Sequence, residues 1–143
     1  MTAITIVPEN ISSDWDRGAV NRDYKCAVEV EIGEAVALNS DNELILAVAT
    51  SEAAARAIGL VTAVPDEFAG TTAPADGWAT VCLFGPVYGF TDLDSGQPLW
   101  VSESVPGGLD DTEPTTAWTW ILGNAVGENV FYVHPGQTTP VSV

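Results

Sequence analysis

The sequence predicts an all-β protein, a small β-barrel or sandwich with one short helix at about residues 51–57 and an extended N-terminal arm. Three observations carry this. Short apolar or alternating runs recur along the chain, and nearly all are bounded by Gly, Pro, Asn or Asp. Such punctuation at short, regular spacing is the signature of a sandwich or barrel. Only TSEAAARAIG (50–59) has helix grammar. Thr50 or Ser51 serves as N-cap, Glu52 stands near the positive helix end, an alanine run follows, and Gly59 acts as a stop. Residues 1–23 show no period at all, mixing polar residues with single large apolar ones.

Taken in order, ITIV (4–7) is a short strand signal closed by Pro8. The arm continues to residue 23. YKCAVEVEI (24–32) alternates, and the alternation predicts one strand with Cys26, Val28, Val30 and Ile32 on a shared face. Gly33-Glu34 is a turn before AVALN (35–39). Ser40-Asp41-Asn42 is dense in turn formers, and ELILAVA (43–49) reads as a buried strand. After the helix come a strand at 58–64 and a long loop, PDEFAGTTAPADG (65–77). Separate strands follow at 78–85 and 86–90 around Gly85-Pro86, with another at 98–102 beyond the turn TDLDSGQ. ESVPGGLDDTEPTT (103–116) is a long acidic loop. AWTWILGNAV (117–126) and NVFYVHP (129–135) pair as a hairpin across Gly127-Glu128. The organisation expected is an arm at 1–23, a β domain at 24–135 and a flexible tail at 136–143.

Charge narrows the functional classes. The 143 residues hold 20 acidic side chains, four basic ones and one His, for a net charge of −16. A phosphate backbone or an anionic lipid surface would repel such a body, so neither nucleic acid nor membrane is expected as a partner. All four cations (Arg17, Arg22, Lys25, Arg56) fall in the first 56 positions. The N-terminus lacks a basic region and a long apolar core, and no apolar stretch approaches about 18 residues, so neither a signal peptide nor a spanning helix is expected. A cytosolic origin follows. Cys26 and Cys82 lie far apart in apolar runs and read as buried thiols.

Catalytic chemistry finds little purchase. His134, the only histidine, stands at a strand end, and there is no G-x-S-x-G elbow. Asp92-Leu93-Asp94-Ser95-Gly96 begins like a calcium loop but lacks the third ligand position and the Glu at the twelfth. It reads as a turn, and Asp110, Asp111 and Glu113 as a solvated acidic loop. Twenty acids make carboxylate pairs by chance, so a glycosidase pair has no support. No catalytic, cofactor-binding or metal-ligating residues are assigned.

Aromatic residues say more. Trp118 and Trp120, two apart, are expected to project from one face of one strand. With Trp100 they suggest a subunit interface or a glycan platform. Trp15 is alone in a polar arm with Arg17 and Arg22 nearby, a pattern that suits docking on a partner. Ile4, Ile6, Trp15, Arg17 and Arg22 are the candidate contacts of the arm.

Several small motifs occur in an informative order: Gly33-Glu34-Ala35-Val36; Ala57-Ile58-Gly59-Leu60-Val61; Phe84-Gly85-Pro86-Val87; Asp94-Ser95-Gly96-Gln97-Pro98-Leu99-Trp100-Val101; Pro106-Gly107-Gly108; and Ile121-Leu122-Gly123-Asn124-Ala125. In this order and spacing, residues 30 to 133 resemble the small phage capsid decoration (cement) proteins. The arm and Trp118 and Trp120 fall outside the match. The resemblance implies a small β-barrel-like subunit, commonly a homotrimer, on the outer capsid surface of the virion. The major capsid protein and other copies of the chain would be its partners, with no catalysis and no cofactor. A ligand that binds only the assembled lattice stabilises it by mass action, and repeated contacts add by avidity. The alternative is a carbohydrate-binding or adhesion module of a phage fibre, with Trp118, Trp120 and the loops at 65–77 and 103–116 as its platform.

Overall fold

The computed structural model describes residues 4–13, 18–65, 70–115 and 118–137. The all-β class is as expected. The chain forms a curled half-barrel sheet with one short helix. Its strands are β1 (Ser12–Ser13), β2 (Val20–Lys25), β3 (Val30–Glu31), β4 (Ala35–Leu38), β5 (Leu44–Leu46), β6 (Gly59–Ala63), β7 (Thr72–Ala73), β8 (Trp78–Tyr88), β9 (Pro98–Val101), β10 (Leu109–Asp110), β11 (Trp120–Ala125) and β12 (Val130–Gln137). The main sheet has the order β10-β9-β11-β12-β8-β6-β4-β5, and β3 and β7 form a separate two-stranded ribbon.

β8 is the beam of the fold. It was expected as two strands broken at Gly85-Pro86, yet it runs unbroken for 11 residues. Its first half pairs with β6 and β2, its second half with β12 and β1. The exchange of partners occurs at Gly85, where φ is +113°. Glycine alone adopts that backbone without strain, so the residue that looked like a break acts as a bend.

Period-two alternation explains the apolar runs. Ala35, Ala37, Leu60 and Cys82 face the main core, which also takes Leu99, Leu122, Phe131 and Val133. Val36, Val61, Val81 and Ala79 face the other way, into a smaller core with Cys26, Val30, Leu44 and Ala73. Strands covered on both faces need apolar residues at every position. The two buried cysteines therefore lie in different cores, and both are free thiols. Burial pushes the Cys82 thiol up to about 11, opposed by its hydrogen bond to the Phe84 carbonyl, and burial raises Cys26 as well.

Helix α1 (Glu52–Ala55) is capped as expected, with Ser51 Oγ accepting from the Ala54 amide at 3.2 Å. Gly59 opens β6 instead of stopping the helix, which ends at Arg56. The β4–β5 hairpin is held by Asn39, whose Oδ1 accepts from the amides of Asp41 and Glu43, while Asn42 takes φ +60°.

Four further expectations are corrected. Residues 24–32 are not one strand: β2 ends at Lys25, and β3 restarts at Val30 in the separate ribbon. Val28, expected to face inward, lies exposed in the link. The long loops at 65–77 and 103–116 each contain a short strand, β7 and β10. The boundary expected at residue 23 falls inside β2, so the described N-terminal residues belong to the β body. β1 and β2 run in line, antiparallel, along β8. Of the expected tail, residues 136 and 137 belong to β12, and 138–143 lie outside the described residues. Among the described residues no helix is long and apolar enough to cross a membrane.

Candidate functional site

The N-terminal candidates separate into three groups. Ile4 and Ile6 pack on the main core of their own chain. The Ile4 amide donates to the Leu109 carbonyl at 2.9 Å, and Ile6 lies directly over Gly33. Both are partly buried, and both line a shallow cavity with Gly33, Glu34 and Leu109. Trp15 and Arg17 lie outside the described residues. Arg22 is exposed on β2.

Arg22 does not stand alone. Its guanidinium sits 5.2 Å from the centroid of the Tyr24 ring, a cation–π contact. Beside it, Lys25 Nζ lies 3.8 Å from Glu43 and 4.0 Å from Asp76. Asp23 accepts from the Thr80 hydroxyl at 2.6 Å. Trp78 is the register partner of Lys25 and is 53% exposed. Arg22, Asp23, Tyr24, Lys25 and Trp78 line a cleft of about 510 Å³ with Leu38, Asp41, Asn42 and Glu43. The β strand creates this grouping, since pairing β2 with β8 brings Trp78 beside cations more than fifty positions earlier in the chain. Ion pairs this exposed contribute little to stability. Lys25 is thus free to exchange Glu43 and Asp76 for carboxylates of a partner, and the exposed Arg22 guanidinium is held by the Tyr24 ring. Trp78 and Tyr24 escaped the sequence reading because alternation alone did not say which strand would lie beside β2.

The three tryptophans sit in different local settings. β11 begins at Trp120, so Trp118 precedes the strand expected to carry both, and it is 39% exposed. Trp120 packs on the main core, and its Nε1 donates to the Ala57 carbonyl at 3.1 Å. Trp100 is half-buried between register partners Asp110 and Ile121. An indole held by a carbonyl inside the fold is poorly placed to stack on a sugar.

His134 Nε2 lies 2.7 Å from Asn124 Oδ1, and Asn124 Nδ2 donates to the Gly96 carbonyl. The amide orientation makes His134 the donor, so it is bonded to an amide oxygen and not to a hydroxyl or thiol. Among the described residues no group of three His, Cys, Asp or Glu side chains is arranged to hold a metal ion. The Asp94–Gln97 segment is a turn, closed by the Gln97 amide on the Asp94 carbonyl and the Gln97 side chain on the Asp94 amide. The acidic loop is stapled by Thr115, whose amide donates to Glu103 at 3.0 Å.

Asp110 is unusual in this setting, a carboxyl 2% exposed on the edge strand β10. Its Oδ2 and the neighbouring Trp100 Nε1 are both enclosed without a hydrogen-bond partner among the described residues. Burial holds the carboxyl above its ordinary range. A hydrogen bond with Ser102 opposes this, and the charges of Asp111 and Glu103 add to it. The folded chain thus binds this proton more tightly than the unfolded chain does. Its contribution to stability is present below the ordinary Asp value and is lost as pH rises through the raised one. Asp110→Asn keeps the shape and removes the charge. It is expected to raise unfolding free energy at pH 7 by on the order of 1 kcal/mol, with no gain near pH 3. Urea titrations at both pH values check this, and a loss at pH 7 would contradict it.

Comparison of the sequence with protein-family models and with curated proteins found no match in either.

Proposed function

We propose that this chain is a structural virion protein that binds the outer surface of an assembled phage capsid and cements the shell. The observation that carries this reading is the cleft between β2 and β8. On a body of net charge −16 it gathers Arg22, Lys25, Tyr24 and a largely exposed Trp78 on one patch, with Asp23, Asp41 and Glu43 among them. An exposed indole flanked by two cations suits a polar or acidic protein surface, and aromatic and Arg anchors dominate protein–protein contacts. The acidic remainder would face solvent and keep decorated particles apart. The resemblance of residues 30 to 133 to decoration proteins points the same way.

Binding to the lattice alone makes the protein a cement, because every bound copy shifts the equilibrium toward the assembled shell. The test is co-sedimentation with empty expanded capsids. The double variant Arg22→Glu/Lys25→Glu is expected to lose at least about tenfold in affinity, or 1.4 kcal/mol. Trp118→Ala, away from the cleft, is expected to bind as the parent does. Undiminished binding by the double variant would overturn the assignment of this cleft, and a parent that never co-sediments would overturn the function.

A further inference from the structure

Among the described residues β2 is an edge strand, paired with β8 on one side only. The residues just past it show which backbone groups face away. Cys26 turns both of its groups toward the β8 side. Its amide donates to the Gly77 carbonyl at 2.8 Å, and its carbonyl accepts from the Asp76 amide at 2.7 Å. Ala27 faces the other way, and its amide donates to the Leu44 carbonyl of β5 at 2.9 Å. Backbone groups alternate in direction along a strand. Arg22 and Tyr24 therefore bond toward β8, while the N–H and C=O of Asp23 and Lys25 point outward. Among the described residues no backbone partner meets these outward groups.

The cleft follows this edge. Successive strand side chains point to opposite faces, yet the consecutive residues Arg22 to Lys25 all line it. A cleft touches every one of them only by running along the rim of the strand. The far wall is the β4–β5 turn, Asp41 to Glu43, whose amides at Asp41 and Glu43 are satisfied by Asn39. One end is closed where β5 joins the same edge, with Cys26 and Leu44 bridged in parallel. Arg22 to Lys25 pair with Trp78 to Val81, so this stretch begins about 20 Å along β8 from the point where Ser13 meets Val87.

We infer that the cleft takes an extended segment of the protein partner as an added strand on β2, and that this segment carries two carboxylates three positions apart. The cleft is the docking site proposed above, and the assignment rests on that reading. Strand addition draws affinity from main-chain bonds and specificity from alternating side chains. Arg22 and Lys25 are three positions apart and so lie on opposite faces of β2. In either strand direction, an incoming segment meets both with carboxylates only when these are also three apart. Carboxylates two apart share a face, and one of them stands away from both cations. Lys25 Nζ reaches Glu43 at 3.8 Å, and the incoming carboxylate takes the place of Glu43. Charges on an edge strand exclude indiscriminate pairing. The order Arg22, Asp23, Lys25 does so while admitting a strand of complementary pattern.

Two capped hexapeptides of one composition test this without a capsid. VEVTEV has its glutamates three apart, and VEVETV has them two apart. Titrated into the isotope-labelled full chain, VEVTEV is expected to bind at least about tenfold more tightly than VEVETV. Amide hydrogen exchange at Asp23 and Lys25 is expected to slow at least about tenfold, with Arg22 and Tyr24 unchanged. Docking by side chains alone does not produce that alternation. Methylating every second backbone nitrogen of VEVTEV is expected to abolish binding in one phase of the alternation and to spare it in the other. Arg22→Glu/Lys25→Glu is expected to lose VEVTEV binding, and should this variant fail to fold, the methylated peptides carry the test. Equal binding of the two peptides would overturn the strand site. So would no binding of VEVTEV at millimolar concentration, or binding that leaves exchange at Asp23 and Lys25 unaltered. The two readings fail separately. Capsid binding by a chain that ignores VEVTEV keeps the cementing function and removes the strand site. A chain that binds VEVTEV as expected but never co-sediments with capsids keeps the strand site and removes the function.

Discussion

Replacing Gly89 with alanine is expected to lower the unfolding free energy by about 3 kcal/mol or more. Gly89 follows β8 at φ +100°. A Cβ there would stand 1.8 Å from the Asn10 carbonyl oxygen and 3.0 Å from the Ile11 amide nitrogen. Both partners are backbone, so neither can swing aside. Relief requires the N-terminal segment to lift from β8, and Ile11 would leave the main core with it. The backbone strain and the lost burial then add. Gly127, with open space around it and no positive φ, is the control. Its alanine variant is expected to stay within about 0.5 kcal/mol of the parent. Urea unfolding of both variants decides the matter. Equal stability would mean that the N-terminal segment contributes nothing to the fold.

Phe131→Ala is expected to cost about 3–5 kcal/mol. Phe131 is fully buried in β12, and its ring packs against Phe90 at 5.4 Å between centroids, tilted by 41°. It touches the region where β8 passes from one half of the sheet to the other, with Val87 as its register partner. The cavity left by truncation is walled by strands on both sides and has little means of collapsing. Phe131→Leu retains most of the volume and is expected to cost under half as much. A calorimetric series of the parent, Phe131→Leu and Phe131→Ala checks the order.

Much of the fold was legible because its rules are local. Ser51 caps α1, Gly127-Glu128 lies in the final hairpin turn, and the apolar runs at 35–38 and 59–63 became strands. What escaped the sequence depends on partners far away in the chain. Gly85-Pro86 has the composition of a break, and only the arrival of β12 and β1 makes it a bend within one strand. Val28 alternates correctly with Cys26 and Val30, yet the chain changes sheets between them, so the period carries no meaning there. The N-terminal segment reads as an extended arm because Ile4, Ile6 and Ile11 show no period, although each is held by a contact to a distant residue or core. The candidate sites follow the same pattern. Arg22 was visible as a rare cation, whereas Trp78 acquires its meaning from the strand beside it.

The dual pairing of β8 also sets a timetable for synthesis. Asp23 and Thr80, joined across β2 and β8, are 57 residues apart. At about 5–20 residues per second, β2 waits roughly 3–11 s on the ribosome for its neighbour to be made. β8 in turn waits for β12, which closes the sheet almost at the end of the described chain. Neither half can finish early, because each lacks the beam until it emerges and the beam lacks one side until β12 arrives. The nascent chain therefore spends most of its translation with open strand edges. Its high negative charge then has a use before any particle exists, since it keeps unfinished chains from pairing with one another.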